Sequence, residues 1–217
     1  MAALPASFDS VELPADLRFA VVDVETSGLN ARWHRILQVA VVTVLADGTI
    51  VDEWSTYVRP HLRRVGPKHV HGLTVRALRD APSFAVVAPE LARRLEGTVF
   101  CAHNAAFDWA FVAKGMRRAA QPLPTVAQLC TLRLSRSTDP ERQQSHRLAD
   151  LCQRYGVTLV HAHDALADAR ATAAVLPHLL ADAALTPATL GPHLRQPRPV
   201  ASWLGRWAPR RVRRRYR

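Results

Sequence analysis

Long apolar runs and paired cysteines are both missing from this 217-residue chain. No stretch of about 18 apolar residues occurs, so the sequence predicts no membrane-spanning helix. Its first residues lack a basic start followed by an apolar stretch, and we expect no secretory signal. The three cysteines, Cys101, Cys130 and Cys152, form no CxxC pair, which argues against a disulfide framework and a zinc site. We therefore expect a reduced, cytoplasmic protein.

Acidic residues are absent from the end of the chain. None follows Asp182, whereas nine arginines occur between Arg195 and Arg217, and the formal net charge is +11. A basic end favours an anionic partner, either nucleic acid, an anionic membrane surface or an acidic protein. A solvated, disordered end is the alternative. Trp203 and Trp207 could stack on bases, which favours nucleic acid.

Hydrophobic patterning predicts an α/β domain around a mixed sheet. Short β-branched apolar runs indicate buried strands at 18–24, 36–45 and 98–103, and the Asp47-Gly48 turn predicts a returning strand at 49–58. Helical patterns occupy 82–97, 105–118, 147–156 and 165–180. We expect Pro89 and Pro177 to interrupt the first and last of these helices. Residues 126–134 fit a strand or a helix equally well.

Two carboxylates stand together where the first strand ends. Asp23 and Glu25 are two residues apart, so their side chains lie on the same side of a strand. Like charges held this close raise each other's pKa unless a cation joins them, and carboxylate oxygens suit Mg²⁺ or Mn²⁺. A lone pair of this kind more often marks a strand that has simply reached solvent.

Two further motifs place acidic residues at the edges of apolar elements. In His103-Asn104-Ala105-Ala106-Phe107-Asp108 a buried strand gives way to a helix, and Asp108 lies in its first turn, where the helix dipole favours an anion. His163 and Asp168 are five apart, which is poor spacing for one helix face, so His163 must precede the helix that Asp164 caps. His161 and Asp164 have the same chemistry, and spacing alone does not reject them.

Taken in order, the three motifs resemble the DEDD superfamily of 3′→5′ exonucleases. The similarity is to its histidine branch, the DnaQ-like family that includes the proofreading (epsilon) subunit of DNA polymerase III. It rests on VVDVETSGL (21–29), AHNAAFDWAFV (102–112) and HDALADARATAAVL (163–176), and HGLT (71–74) and 146–157 also match. The resemblance implies a ribonuclease H-like fold with a mixed five-stranded sheet. It covers about residues 17–180, so we expect the exonuclease domain to occupy 17–183. The composition outside that range predicts an N-terminal arm over 1–16 and a disordered, Pro/Arg-rich basic tail over 184–217.

The resemblance also implies roles for individual residues. Two Mg²⁺ or Mn²⁺ ions would be held by four carboxylates, with His163 as the general base that takes a proton from the attacking water. The metal-binding residues implied are Asp23, Glu25, Asp108 and Asp168. The substrate-binding residues implied are Thr26, Gly28, Leu29, His71, His103, Asn104 and Phe107. Leu29 and Phe107 could instead be plain core, and His71 could brace its own turn.

The expected activity is metal-dependent release of nucleoside monophosphates from the 3′ ends of single-stranded DNA or RNA. The segment DVETSGL differs from the DxEMTGL of oligoribonucleases, which favours DNA. RNA trimming, a phosphoesterase acting on small nucleotides and a non-catalytic nucleic-acid-binding or polymerase-docking module are the alternatives. A DNA polymerase or another replication or repair protein is a further possible partner. Many family members have an acidic residue where this chain has Gln38.

Overall fold

The computed structural model describes residues 16–61, 65–124, 126–160 and 163–196. Five strands form one sheet in the order β3-β2-β1-β4-β5. These strands are β1 (Phe19–Thr26), β2 (Ile36–Val44), β3 (Ile50–Tyr57), β4 (Val99–Ala102) and β5 (Gln128–Cys130). β1 pairs antiparallel with β2 and parallel with β4. The predicted mixed five-stranded sheet and its β2–β3 hairpin are therefore confirmed.

Six α-helices cover the sheet. They are α1 (Lys68–His71), α2 (Phe84–Leu95), α3 (Ala105–Arg118), α4 (Thr131–Ser137), α5 (Leu148–Tyr155) and α6 (Ala165–Asp182). Two buried clusters lie on opposite faces of the sheet, one formed with α5 and α6 and the other with α2 and α3. Among the described residues, no helix is long and apolar enough to cross a membrane. The stretch 126–134, which fitted either strand or helix, contains both β5 and the start of α4.

Both predicted proline interruptions are wrong. α2 runs through Pro89 and α6 runs through Pro177 to Asp182. An interior proline costs a helix about 3 kcal/mol or more, because it removes a hydrogen bond and crowds the preceding turn. Pro89 is exposed, while Leu91 and Leu95 beyond it are fully buried. Burial of the apolar face therefore outweighs the local cost.

The segment after α6 stays on the domain surface as far as Gln196. Two short 3-10 turns lead to Leu190 and Leu194, which are 1% and 3% exposed within the core. Arg195 then exchanges two backbone hydrogen bonds of 2.8 Å with Gln128 of β5. The expected division at residue 183 stays a prediction. Nearly all of the expected arm, 1–15, and the last part of the expected tail, 197–217, lie outside the described residues.

Candidate active site

β1 carries the first two carboxylates into the interior. Strand alternation places Asp23 and Glu25 on the same face as Phe19 and Val21, which belong to the cluster covered by α6. The pairing of β1 with β2 shifts register between Glu25 and Thr26. A bulge of this kind bends the strand and re-aims its side chains, and it occurs here at the edge of the carboxylate pair.

The start of α6 brings two more of the expected residues to this edge. Asp164 caps the helix by accepting hydrogen bonds from the Leu166 and Ala167 amides, at 3.0 and 3.1 Å, as the sequence predicts. His163 precedes the helix, also as predicted, in a left-handed conformation with φ of 69°. Its backbone N–H donates to Asp168 Oδ2 at 3.1 Å. The helix cap therefore sets His163 and Asp168 side by side.

Gln38 is a site-forming residue whose role the sequence did not reveal. Its Nε2 donates to Asp164 Oδ2 at 2.8 Å, and its Oε1 accepts from the Ala165 amide at 3.3 Å. Gln38 also lies opposite Glu25 in the sheet register. One buried amide thus ties β2 to the first turn of α6. A carboxylate at this position would face the Asp164 carboxylate without a proton to donate, so the amide suits this chain.

Asp108 reaches the same region from the other side of the sheet. It lies in the first turn of α3, after β4, and is 3% exposed. Burial raises its pKa to about 8, although backbone hydrogen bonds from its own amide and from Val24 act in the opposite direction. Those amides would favour the charged form. The net effect is a carboxyl group that the protein alone does not stabilise as an anion near neutral pH.

The other three carboxyl groups are perturbed in the same direction. Burial raises the pKa of Asp23 well above its usual range, and the charges of Asp108 and Asp168 add to that shift. Burial and then the Asp168 charge raise the pKa of Glu25 to about 8. The pKa of Asp168 is also raised by burial, despite its hydrogen bond from His163. Four carboxyl groups that cannot all ionise together form a cluster that a divalent cation would relieve.

The donor geometry fits a divalent cation. Glu25, His163 and Asp168 each place one ligand atom within 4.8 Å of the other two. Asp168 Oδ1 is buried and has no hydrogen-bond partner among the described residues. An unsatisfied buried carboxylate oxygen is costly, and coordination by a hard cation would satisfy it.

Comparison with known families agrees with this geometry. The family model described as Exonuclease (RNase_T) matches residues 20–176. The chain belongs to this exonuclease family. "DNA polymerase III PolC-type" of Halalkalibacterium halodurans is 31% identical over 182 residues, which are 83% of this chain and 13% of that protein. The corresponding protein of Staphylococcus aureus strain RF122 is 35% identical over 73% of this chain. The chain therefore spans only about a tenth of these relatives.

Solved structures of exonucleases share the fold. Exonuclease X in complex with 5′-overhanging duplex DNA superposes with a TM-score of 0.62 at 28% identity, over 81% of this chain and 97% of that one. Escherichia coli exonuclease I in complex with a dT13 oligonucleotide gives a TM-score of 0.65 at 19% identity, over 76% of this chain and 41% of that one. The expected ribonuclease H-like fold and DnaQ-like family are thus confirmed.

The end of β1 and the loop that follows it hold three residues expected to meet the substrate. Thr26 is buried, and its hydroxyl donates to the Gly28 carbonyl at 2.9 Å. Gly28 has a φ of 153°, which favours glycine, and a Cβ there would lie 2.5 Å from the His34 ring, so a larger residue would force that ring to move. Leu29 is 87% exposed, which excludes the plain-core interpretation. An exposed leucine four residues after Glu25 is available to contact a base.

His71 occupies a different kind of position. The ring is 7% exposed, its Nδ1 accepts from the Leu73 amide, and its Nε2 lies 3.0 Å from the Val65 carbonyl. A neutral imidazole with its proton on Nε2 satisfies both contacts. With both ring nitrogens used by the backbone, this geometry favours the alternative role of bracing its own turn.

The residues of the second motif divide between the site and its surroundings. His103 Nδ1 lies 3.0 Å from the Thr131 hydroxyl, and burial lowers the pKa of this histidine to about 4. Asn104 is exposed in a left-handed conformation with φ of 81°. Phe107 is half-buried, with its ring centroid 5.0 Å from that of Phe111. Phe107 is thus partly core, while Asn104 lies open at the head of α3. His161 lies outside the described residues.

Proposed function

We propose that this chain is a metal-dependent 3′→5′ exonuclease that releases nucleoside monophosphates from single-stranded nucleic acid, with DNA preferred. The observation that carries the proposal is the meeting of Glu25, His163 and Asp168 within 4.8 Å, close to the half-buried Asp23 and the buried Asp108. Four carboxyl groups with raised pKa values and one histidine are a suitable set for metal-assisted phosphodiester hydrolysis.

Each residue has a distinct task in this proposal. Asp23, Glu25 and Asp168 would hold one Mg²⁺ or Mn²⁺ ion, and Asp23 and Asp108 would hold a second. Two divalent cations supply the charge that stabilises the attacking and leaving oxygens of the phosphodiester.

His163 takes a proton from the attacking water, whose oxygen bonds to phosphorus as the bond to the 3′ oxygen of the preceding nucleotide breaks. His163 is exposed, so the proton can pass on to solvent.

The substrate preference is supported by the relatives. Exonuclease X, at 28% identity, is solved with 5′-overhanging duplex DNA, and the PolC-type relatives are named as DNA polymerases. A 3′ end arising in DNA replication or repair is therefore the proposed context, with a polymerase as the candidate protein partner. Leu29, Asn104 and Phe107 would line the pocket for the terminal nucleotide, because each is at least partly exposed and lies within four residues of Glu25 or Asp108 along the chain.

A nuclease assay tests the proposal. Single-stranded DNA and RNA of the same sequence, each labelled at the 5′ end, would be incubated with the protein and Mg²⁺ or Mn²⁺, and in parallel with EDTA. We expect a metal-dependent ladder that shortens from the 3′ end, faster on DNA. Faster cleavage of RNA would instead identify an RNA-trimming enzyme. Binding without cleavage of either strand would contradict the proposal and favour a docking module.

A further inference from the structure

A basic groove lies behind α3, on the far side of that helix from Asp108. It has a volume of about 1070 Å³ and lies between α3, β5, α4 and the segment around Arg195. Five of its lining residues are cationic: Lys114, Arg117, Arg133, Arg136 and Arg195. No acidic residue is among the described residues that line it.

Within the described part of the chain, none of these five cations has an acidic partner in an ion pair. The ion pairs among the described residues join other arginines, namely Arg93, Arg94 and Arg170, to Glu90, Asp52 and Glu53. Arg117, Arg133, Arg136 and Arg195 are all exposed and Lys114 is half-buried. Five unpaired cations around one concave surface create a positive potential that attracts an extended anion.

One end of the groove reaches the start of α3, the helix whose first turn carries Asp108. Asn104 lies at its rim, four residues or about 6 Å along the helix axis from Asp108. A neighbouring hollow shares Leu132 and Arg136 with the groove and contains His103 and Arg147. From Asn104 to Arg117 the groove follows α3 for about 20 Å. A strand could therefore run from the carboxylates over the head of α3 and into the groove.

Acidic residues near this path are already engaged. Asp139, behind the neighbouring hollow, lies 3.2 Å from His146 and accepts hydrogen bonds from the Gln143 and Gln144 amides. Asp150 accepts a hydrogen bond from the Ser145 hydroxyl. The path is thus lined by free cations, and its nearby carboxylates are satisfied by donors.

The Arg-rich end of the chain starts at the same place. The backbone of Arg195 is fixed to Gln128 of β5, and both residues line the groove. The sequence after Arg195 contains eight more arginines and no acidic residue. The last two described residues, Arg195 and Gln196, therefore both line the groove, and the sequence that follows them carries eight further positive charges.

We propose that this groove binds the sugar-phosphate backbone of the substrate strand upstream of its 3′ end. The inference rests on the proposed function, because it requires that the strand's 3′ end lies at the carboxylates. A length of about 20 Å accommodates several consecutive phosphates, since these repeat about every 3.4 Å per strand along a duplex. Such a site would hold long strands more tightly than short ones and make their binding dependent on salt.

Two matched double variants of the full chain test the groove. Lys114→Gln/Arg133→Gln removes two groove charges. Arg18→Gln/Arg93→Gln removes two charges at the opposite end of the sheet, where both residues border a separate hollow. Binding of a 5′-labelled 20-nucleotide DNA strand would be measured in EDTA between 50 and 200 mM salt. Cleavage in Mg²⁺ would be measured on this strand and on the p-nitrophenyl ester of thymidine 5′-monophosphate, which has no upstream strand.

We expect the groove variant to bind the strand about tenfold more weakly, with a salt slope shallower by about 1.4, from about 0.7 for each of two lost phosphate contacts. Its cleavage of the strand should fall relative to its hydrolysis of the ester, while the control variant matches the wild type.

Equal binding by both variants would overturn the groove proposal. A polyglutamate peptide that bound the groove more tightly than the DNA strand and displaced it would also overturn the groove proposal. That result would identify an acidic protein as the ligand of the groove. If the wild type hydrolysed neither the strand nor the ester, the proposed function would be overturned instead. That result is independent of the groove test, because strand binding is measured without metal.

Discussion

The two sides of α3 carry opposite and uncompensated charge. One side presents Asp108 to a buried cluster of carboxyl groups, where burial and mutual repulsion raise the pKa values. The other presents Lys114 and Arg117 to an open groove without acidic lining residues. The negative charge on the buried carboxyl groups destabilises the fold because water cannot solvate it. The positive charge in the open groove costs little free energy because water solvates it. Neither side has a counter-charge among the residues that the structure describes, which points to metal ions on one side and phosphates on the other.

The largest expected effect comes from removing one buried charge. Asp23→Asn should lower the rate of strand cleavage by about 1000-fold or more, since the loss of a metal ligand removes several kcal/mol of transition-state stabilisation. In EDTA the same variant should unfold at an equal or higher temperature than the wild type, because it relieves buried repulsion. Cleavage assays and thermal unfolding measure the two effects.

Asp16→Asn is the matched control for this substitution, because Asp16 is exposed before the start of β1. It should change neither property. If Asp23→Asn destabilised the protein in EDTA, the buried carboxyl groups would form a stabilising structural network and not a cation site.

Substitutions of His163 and His71 should distinguish a catalytic histidine from one that stabilises the fold. His163→Asn should reduce kcat by about 100-fold with little change in unfolding temperature, since general-base catalysis contributes about that much or more. Asparagine tolerates the left-handed backbone of His163. His71→Asn should do the reverse, because both ring nitrogens of His71 contact the backbone in the interior. Steady-state kinetics beside thermal unfolding would reveal either pattern, and equal loss of stability in both variants would contradict the assignment.

The stability of the metal-free protein should depend on pH in an unusual direction. Glu25 and Asp108 have pKa values of about 8 when folded and ordinary values of 4.5 and 3.8. Between about pH 5 and pH 8 the folded chain therefore holds protons that the unfolded chain has released, and the free energy of unfolding falls as pH rises.

The fall should amount to several kcal/mol, because each group that stays protonated only in the folded chain contributes about 1.4 kcal/mol per pH unit, and the partly exposed Glu25 contributes less than the buried Asp108. Thermal unfolding in EDTA across this range measures it, and Mg²⁺ should remove most of the fall at pH 8. A free energy of unfolding that rises with pH in EDTA would show that the carboxyl groups are stabilised by the protein itself.

The smallest expected effect concerns the side-chain amide of Gln38, which ties β2 to the start of α6 beside the carboxyl groups. Gln38→Glu should destabilise the protein by about 1–2 kcal/mol at pH 8, because it replaces a hydrogen bond to Asp164 with repulsion. The loss should shrink at pH 5, where the new carboxyl group can be protonated. Adding Asp164→Asn should restore stability, since asparagine both caps the helix and donates to Glu. Urea unfolding of the two single variants and the double variant measures this coupling, and additive losses would contradict it.

The sequence was sufficient to predict those features of the fold and the site that depend on short-range periodicity. Alternation along β1 was sufficient to place Asp23 and Glu25 on one face, and the five-residue spacing correctly placed His163 before α6. It failed at Pro89 and Pro177, where burial of residues elsewhere on the helix decides the outcome. Contacts between distant residues were also out of reach: the Gln38–Asp164 hydrogen bond spans 126 positions, and the groove needs α3, α4 and Arg195 together.

The number of bound metal ions tests the central claim most directly. Mn²⁺ would be titrated into the wild type and into Asp23→Asn/Asp168→Asn at pH 8, with thymidine 5′-monophosphate present and free Mn²⁺ followed by electron paramagnetic resonance. We predict about two tightly bound ions per wild-type chain, none in the variant, and cleavage that saturates over the same range of Mn²⁺ concentration. Equal, weak binding by both proteins would contradict the account of these carboxyl groups as a two-metal exonuclease centre.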